Sequence, residues 1–321
     1  EPVACLRTAR NRLDWLAITL LDHRWHRRDF AGRLAVIRAH VPRLTAMRDW
    51  GPPASLLHAT GPAFILPIEL SLDEQAALLR DFRPQSLLLY PSLLDALLAG
   101  DALAGVREIR TFGEAVPEGL RARVRERLGV ALTDSYSSQE LGYIALQCPE
   151  SGLYHAMAET LLVEVLDDSG QPCASGEMGH VVVTDLHNFA SPLIRYATGD
   201  LAEVAPPCAC GRGWPTLARI RGRVRNLVAF PDGTRRWPML GYAAFRELAG
   251  VRQYRFVQHD RDTIEVHLVA DRLTPETEAA LAVHIRRALG HPFHLRFTRH
   301  AERLPLGGSG KFEEFLSVLP D

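Results

Sequence analysis

Four short segments carry side chains able to bind or activate a phosphate ester. Tyr136-Ser137-Ser138-Gln139-Glu140 closes a run of strand-forming residues, and ligands of α/β sheets bind where strands end. An aromatic ring there can stack on a base, and a carboxylate can hold Mg2+ beside phosphates. Taken alone, the same segment reads as a capped helix start. Arg195-Tyr196-Ala197-Thr198-Gly199-Asp200 sets an Asp after a tight glycine turn, where it can accept both hydroxyls of a ribose. Thr-Gly-Asp is also an ordinary turn. Gly222-Arg223 pairs a flexible residue with a cation, and hinge alone is the plainer reading. Pro305-Leu306-Gly307-Gly308-Ser309-Gly310-Lys311 presents a lysine from a glycine loop, suited to stabilising charge on phosphate or carboxylate. It is not a P-loop, because the spacing differs and no strand–loop–helix pattern surrounds it.

Lys311 is the only lysine among the 37 Lys and Arg residues. Lys is a compact charge on a flexible stem and Arg a planar fork, so this exception favours a role that Arg does not fill. Chance survival on the surface is the alternative. Another set suits a metal: Cys148 lies seven residues before His155, and Cys208-x-Cys210-Gly211 is compact. Three thiols and one imidazole make a standard closed zinc set. Sequence alone does not show that the two pairs meet, and scattered buried cysteines are the plainer reading. Five cysteines, an odd number spread thinly, argue against a disulfide framework and fit a reducing cytoplasm. Cys5 and Cys173 receive no role.

These groups need elements to hold them. With 47% hydrophobic and 23% charged residues the composition is that of an ordinary globular protein. A net charge of -1 gives no reason to expect nucleic acid or an anionic membrane. No apolar run is long enough to span a bilayer, and the first residues lack the blocks of a secretory signal.

The first two-thirds alternate helical and strand-like patterns, which predicts an α/β fold. Ser71 and Glu74 form a capping-box signature ahead of a helix carrying Ala77, Leu78 and Phe82. Ser86–Tyr90 reads as a buried strand, Ser92 as the cap of a helix to Leu98, and Arg107–Phe112 as a strand ending at Gly113-Glu114. Pro117–Leu128 predicts a helix with Leu120, Val124 and Leu128 toward the core and its arginines on a solvated face. After a strand at Leu132–Tyr136, the strands Leu161–Leu166, His180–Leu186, Pro192–Tyr196 and Leu201–Val204 make a β-rich subdomain. Beyond a junction at Gly222–Asn226 come the turn Pro231-Asp232-Gly233 and strands at Val251–Gln258 and Thr263–Val269. A helix from Thr274-Pro275 to Gly290, lined by Leu281, Ile285 and Leu289, and a strand at His294–Thr298 complete a small α+β domain. The expected domains are 1–223 and 224–321.

In this order and spacing, the four segments resemble the motifs of the adenylate-forming superfamily of acyl-CoA synthetases, particularly its phenylacetate–CoA ligase-like and capsule-biosynthesis (CapK-like) branch. Tyr136–Glu140 is similar to the family's Tyr-Gly-x-Thr-Glu, Tyr196–Asp200 to its Tyr-x-Thr-Gly-Asp, and Ser309–Lys311 to its Ser-Gly-Lys. The resemblance runs from Glu1 to about Phe312. It implies a large adenylation domain, layered α/β with a β-rich part, followed by a small mobile lid. It also implies roles. Tyr136 stacks on adenine, Asp134 meets its amino group, Gly113 and Glu114 form the backbone wall beside the base, and Ser137 belongs to the same nucleotide site. Glu140 binds Mg2+, Asp200 holds the ribose, and Arg223 supports it from a hinge that includes Asn226. Lys311 bridges the substrate carboxylate and the α-phosphate. Thr60, Gly61 and Ser138 line the acyl pocket, and Cys148, His155, Cys208 and Cys210 are structural Zn2+ ligands. Ser137 and Gln139 stand where the motif has Gly and Thr, and Asn226 stands where the hinge commonly has Asp or Lys.

The implied reaction is ATP-dependent activation of a small carboxylic acid, aryl acids being favoured, to an acyl-adenylate and then transfer to coenzyme A. Transfer to an amine or to a carrier-protein thiol is the alternative among enzymes. A binding protein that uses the fold without turnover is the alternative outside catalysis. Glu1-Pro2-Val3 is similar to the continuation of the family's Thr-Ser-Gly-Ser-Thr-Gly phosphate loop. The resemblance therefore implies a start just past the loop that cradles the ATP phosphates, and weak or no activity from these 321 residues alone. A cytoplasmic protein is expected, without nucleic-acid or membrane partners, and a homodimer is compatible with the family.

Overall fold

The computed structural model describes residues 5–223, 227–236, 245, 248–270, 273–305 and 312–319. The chain divides into two compact units, Glu1–Gly222 and Arg223–Asp321. Among the described residues no helix is long and apolar enough to cross a membrane.

The first unit holds α1 (Ala9–Trp25), β1 (Leu34–Arg38), β2 (Thr45–Met47), α2 (Ala54–Leu57), β3 (Ala63–Pro67), α3 (Leu72–Phe82), β4 (Ser86–Leu89), α4 (Pro91–Leu97), β5 (Glu108–Phe112), α5 (Leu120–Leu128) and β6 (Leu132–Ser138). It continues with β7 (Gly142–Gln147), β8 (Tyr154–Ala156), β9 (Leu161–Leu166), β10 (Met178–Asp185), β11 (Tyr196–Val204) and β12 (Thr216–Arg223). All twelve strands join one sheet, in the order β2-β3-β1-β4-β5-β6-β7-β8-β12-β11-β10-β9. The block β3-β1-β4-β5-β6 is parallel. Parallel neighbours need crossover connections, and α3, α4 and α5 supply them between β3 and β6. From β6 to β7 the pairing turns antiparallel. The strands expected to form a β-rich subdomain therefore extend the same sheet, because β6 is hydrogen-bonded on both edges.

Local chemistry accounts for most element ends. Ser71 and Glu74 form the expected capping box of α3. Leu120 and Val124 of α5 are fully buried, and Gly129 ends that helix at φ +70°. Three of its arginines are engaged rather than merely solvated: Arg121 donates to the carbonyl of Leu132 and the hydroxyl of Tyr154, Arg123 pairs with Asp95, and Arg127 donates to the carbonyls of Ala99 and Gly100. Ser92 is not the cap of α4. Pro91 takes the first turn and Tyr90 the cap position, since a ring-fixed φ suits a helix start. Pro192–Tyr196 is not a strand either. Arg195 has φ +47°, which breaks extension, and Tyr196–Val204 runs as one strand.

Helix α1 has no apolar stripe. It docks through buried polar groups, Thr19, Asp22 and His23. Arg28, just beyond it, is paired with Asp22 and with Glu108 of β5, and Arg110 lies 3.8 Å from Glu108. Burial by itself pushes the Asp22 carboxyl up, but Arg28 and Arg110 hold it below its ordinary value.

The second unit contains β13 (Val228–Ala229), β14 (Arg235–Arg236), β15 (Gln253–Gln258), β16 (Thr263–Val269), α6 (Pro275–Leu289), β17 (His294–His300) and β18 (Phe315–Ser317). Its four-stranded sheet runs β17-β16-β15-β18. Thr274 caps α6 through a reciprocal box with Thr277, Pro275 occupies the first turn, and Gly290 ends it at φ +70°. Leu281, Ile285 and Leu289 pack with Phe245, Phe256 and Phe293, each such burial contributing about 1.5–3 kcal/mol.

Asp22→Ala is expected to lower unfolding free energy by about 3–5 kcal/mol, because it strands a buried cation beside Arg110. The stabilisation from Asp22 is complete above the ordinary carboxyl pKa and is lost as pH falls through its lower folded value. Urea titrations at neutral and acid pH check both statements, since the variant should differ least from the parent in acid.

Candidate active site and metal centre

Strands β5 and β6 run side by side, with Phe112 opposite Ser135. Gly113 follows β5 at φ +77°, and Glu114 accepts the Ser92 N–H at 3.1 Å, placing a carboxylate at the start of α4. Tyr136, Ser137 and Ser138 continue β6 past the end of β5, along β7, with a register shift between Tyr136 and Ser137. The Tyr136 hydroxyl donates to Asp200 Oδ2 at 2.6 Å and lies 3.4 Å from Thr198 Oγ1. Asp200 is held in turn: its N–H donates to Thr198 Oγ1 at 3.1 Å, and that hydroxyl donates to the Val181 carbonyl at 3.0 Å. Between the pairs His180–Leu201 and Val182–Ala197, β11 carries two residues more than β10, and Gly199 turns this bulge at φ +78°. The two motifs, 64 residues apart, thus meet at the carboxyl end of the parallel strands.

Glu140 is half-buried in the turn after β6. The segment before α1 lies against this turn: Cys5 Sγ donates to the Glu140 carbonyl at 3.6 Å and Arg7 to the Gln139 carbonyl at 2.6 Å. Asn188 fastens that segment by accepting the Thr8 N–H at 3.1 Å and donating to the Leu6 carbonyl at 2.9 Å. The Ser138 hydroxyl accepts the Leu141 N–H at 3.1 Å, closing the turn. Asp134 is 8% exposed and both its oxygens face protein hydroxyls, Thr111 at 2.6 Å and Tyr154 at 2.8 Å. Its side chain is a buried strut at this site.

Thr60 and Gly61 are not brought to this end. They precede β3, at the amino ends of the same parallel strands. The Thr60 hydroxyl accepts the Trp50 N–H at 2.8 Å, and a Cβ on Gly61 would lie 2.4 Å from the Gly32 carbonyl, so a side-chain hydrogen bond occupies the one and close backbone packing accounts for the other. Arg223 ends β12. Asn226 and Lys311 lie outside the described residues. Thr198, Thr111 and Asn188 carry site contacts that sequence reasoning passed over. Only Thr198 sat inside a motif that could have flagged it.

The thiols of Cys148, Cys208 and Cys210 and the His155 ring do converge, their ligand atoms all lying within 4.8 Å of one another. Cys148 Sγ is 3.9 Å from Cys208 Sγ, and Cys210 Sγ is 3.3 Å from His155 Nε2. Tetrahedral zinc with ordinary bond lengths asks for S···S about 3.8 Å and S···N about 3.6 Å. The set therefore fits such an ion with small adjustment. Burial penalises the Cys210 thiolate, but hydrogen bonds from the Arg212 N–H, from Cys208 and from the Arg212 side chain bring that thiol down to about 7. Arg212 also lies 3.6 Å from Cys148 Sγ, pairs with Glu150 and covers the Trp25 ring at 4.7 Å. Trp25 and Trp214 wall the His155 ring.

Burial raises the Asp134 carboxyl from 3.8 to about 6, although Thr111 and Tyr154 oppose it. The folded state then binds more protons than the unfolded chain between those values, so this group makes stability fall as pH rises through that window. Asp134→Asn is expected to flatten the slope and to leave stability at neutral pH equal or higher. Urea midpoints measured from about pH 4 to pH 7 test this.

No protein-family model matches the chain. It is 32% identical over 177 residues to a phenylacetate–coenzyme A ligase of Thermus thermophilus, covering 51% of this chain and 40% of the relative. Against the corresponding ligase of Escherichia coli it is 31% identical over 178 residues, with 50% of this chain and 40% of the relative covered. The matched part thus takes in less than half of either relative. Among solved structures, a 2-hydroxyisobutyryl-CoA ligase in its postadenylation state, in complex with R3-HIB-AMP, superimposes with a TM-score of 0.70 at 18% identity, covering 98% of this chain and 73% of that one. An anthranilate CoA ligase in complex with anthranoyl-AMP gives a TM-score of 0.64 at 16% identity, over 94% and 62%. About half of the chain is thus similar in sequence to part of the phenylacetate–coenzyme A ligases, and its fold is that of the two solved CoA ligases.

Proposed function

We propose that the protein activates a small carboxylic acid with ATP and passes the acyl group to coenzyme A. The hydrogen bond from Tyr136 to Asp200 carries this reading. It joins a ring suited to a base with a carboxylate suited to a ribose, at the strand ends where α/β sheets bind nucleotides. The substrate carboxylate attacks the α-phosphate in line; a C(O)O–P bond forms, the bond to the β-phosphate oxygen breaks, and pyrophosphate leaves. Charge grows on the α-phosphate oxygens, and Lys311 is the group that meets it. Mg2+ held by Glu140 would supply further electrostatic stabilisation. Gly113 and Glu114 wall the base, with Ser137 beside them, and Arg223 supports the ribose. The coenzyme A thiol then attacks the acyl carbon and displaces AMP. Residues 224–321 form the domain carrying Lys311, and a hinge at Gly222–Asn226 withdraws it between the two steps. Aryl acids are the favoured substrates, and the anthranilate CoA ligase neighbour supports that choice.

Cys148, His155, Cys208 and Cys210 hold a structural zinc ion in this reading, because a closed four-ligand set leaves no position for substrate. Five cysteines, none of them in a disulfide, fit the reducing cytoplasm.

Acid-dependent exchange of labelled pyrophosphate into ATP tests the first half-reaction, with aryl acids as the first panel. Lys311→Ala is expected to reduce that exchange by about 10²-fold or more, and Asp200→Ala to raise the KM for ATP. Exchange unaltered by Lys311→Ala would remove the lysine from the mechanism. Metal analysis is expected to find one zinc per chain, with Cys208→Ser abolishing it and lowering the melting temperature.

A further inference from the structure

Arg255, in the middle of β15, ties together two backbone points eight residues apart. Its Nη2 donates to the Pro305 carbonyl at 2.7 Å and its Nε to the Glu313 carbonyl at 3.0 Å, while the guanidinium lies 4.8 Å over the Phe312 ring. Pro305 precedes and Phe312 follows residues 306–311, the last of which is Lys311. The same strand grips both flanks again: Gln253 Oε1 accepts the Leu304 N–H at 2.8 Å, and the Phe256 N–H donates to the Glu314 carbonyl at 2.8 Å. Phe312 is 7% exposed and packs with Val269 and Leu304.

Eight residues can reach about 28 Å when extended, yet here both ends fall within the span of one guanidinium. Holding chain ends together costs entropy that something must offset. A planar fork with several fixed donors suits two acceptors at a set separation, which a point charge does not.

We propose that Arg255 is a positioning residue for Lys311: by tying the Pro305 and Glu313 carbonyls across the Phe312 ring, it fixes the ends of the segment from which the lysine extends. The functional part of this statement rests on the adenylation reading. A misplacement of the order of 1 Å can cost about 10²-fold in rate, so the tie matters for the step that uses the lysine and not for the step that does not.

Because Lys311 is the only lysine, reductive 13C-methylation of the whole protein gives one side-chain signal besides that of the amino terminus. In Arg255→Met, which keeps the aliphatic bulk and removes both donors, this signal is expected to move toward its position in the urea-unfolded chain. Pyrophosphate exchange is expected to fall by about 10²-fold in kcat with little change in the KM for ATP. Thioester formation from supplied acyl-adenylate is expected to stay at the parent rate. Should Arg255→Met not fold, Arg255→Gln carries the same readouts. A lysine signal identical with the parent's overturns the proposal, and so does an equal loss in both half-reactions. If the parent shows no exchange, the adenylation reading fails, while the lysine signal still decides whether Arg255 holds the segment.

Discussion

Strand β6 is paired in opposite senses on its two edges, parallel to β5 and antiparallel to β7. Everything at the candidate site follows from that. The parallel edge aligns the end of β6 with Gly113 and Glu114. The antiparallel edge turns the chain back at Glu140 and leads it into the strands that bring Asp200 to Tyr136. A strand with the same sense on both edges would need a crossover after Ser138, and the two motifs would be separated by a helix. The close contact between a phenol and a carboxylate is thus a product of sheet topology, with Thr198 and the β11 bulge making the final adjustment.

The polar interior of the first unit shows how a helix without amphipathic pattern can still dock. Helix α1 has its place through Asp22 and the adjoining Arg28, whose charges are met by Glu108 on the sheet. Such pairs contribute little net stability when complete and cost a great deal when one partner is lost. They fix where the helix sits more than how tightly it sits there, and the helix leads from the segment lying against Glu140.

Legibility in the sequence followed from locality. The α3 capping box, the α6 cap and stop, and the strands Leu161–Leu166 and Thr263–Val269 were read within a residue or two, because each depends on neighbours a few positions away. Helix α1 was not read, since its buried face is polar and its partners are distant in sequence. The misreading of Pro192–Tyr196 came from Arg195, whose positive φ nothing in its side chain advertises. At the site, the strand ends and the Thr-Gly-Asp turn were visible as motifs, whereas the commitment of Asp134 to Thr111 and Tyr154 depends on strand register, which spacing does not encode. The place of Thr60 and Gly61 in the acyl pocket is an implication of the resemblance, and their position before β3 depends on sheet direction, which the residues themselves do not carry. The convergence of Cys148 and His155 with Cys208 and Cys210 is likewise a matter of which strands become neighbours.

That convergence has a mechanical meaning. Strand β8 has three residues, and only two of its positions pair with β12, His155 with Thr216 and Tyr154 with Leu217. This is a thin seam in a twelve-stranded sheet, dividing the run from β2 to β8 from the strands β12 to β9. The four thiol and imidazole groups straddle it, with His155 on one side and the Cys208–Cys210 loop leading into the other. Few backbone hydrogen bonds join the halves here, so side chains that meet across the seam add contacts the ladder lacks. The sheet is built there as two plates joined by few backbone rungs, with Tyr154 and Leu217 in one core cluster and the Cys/His group as ties between them.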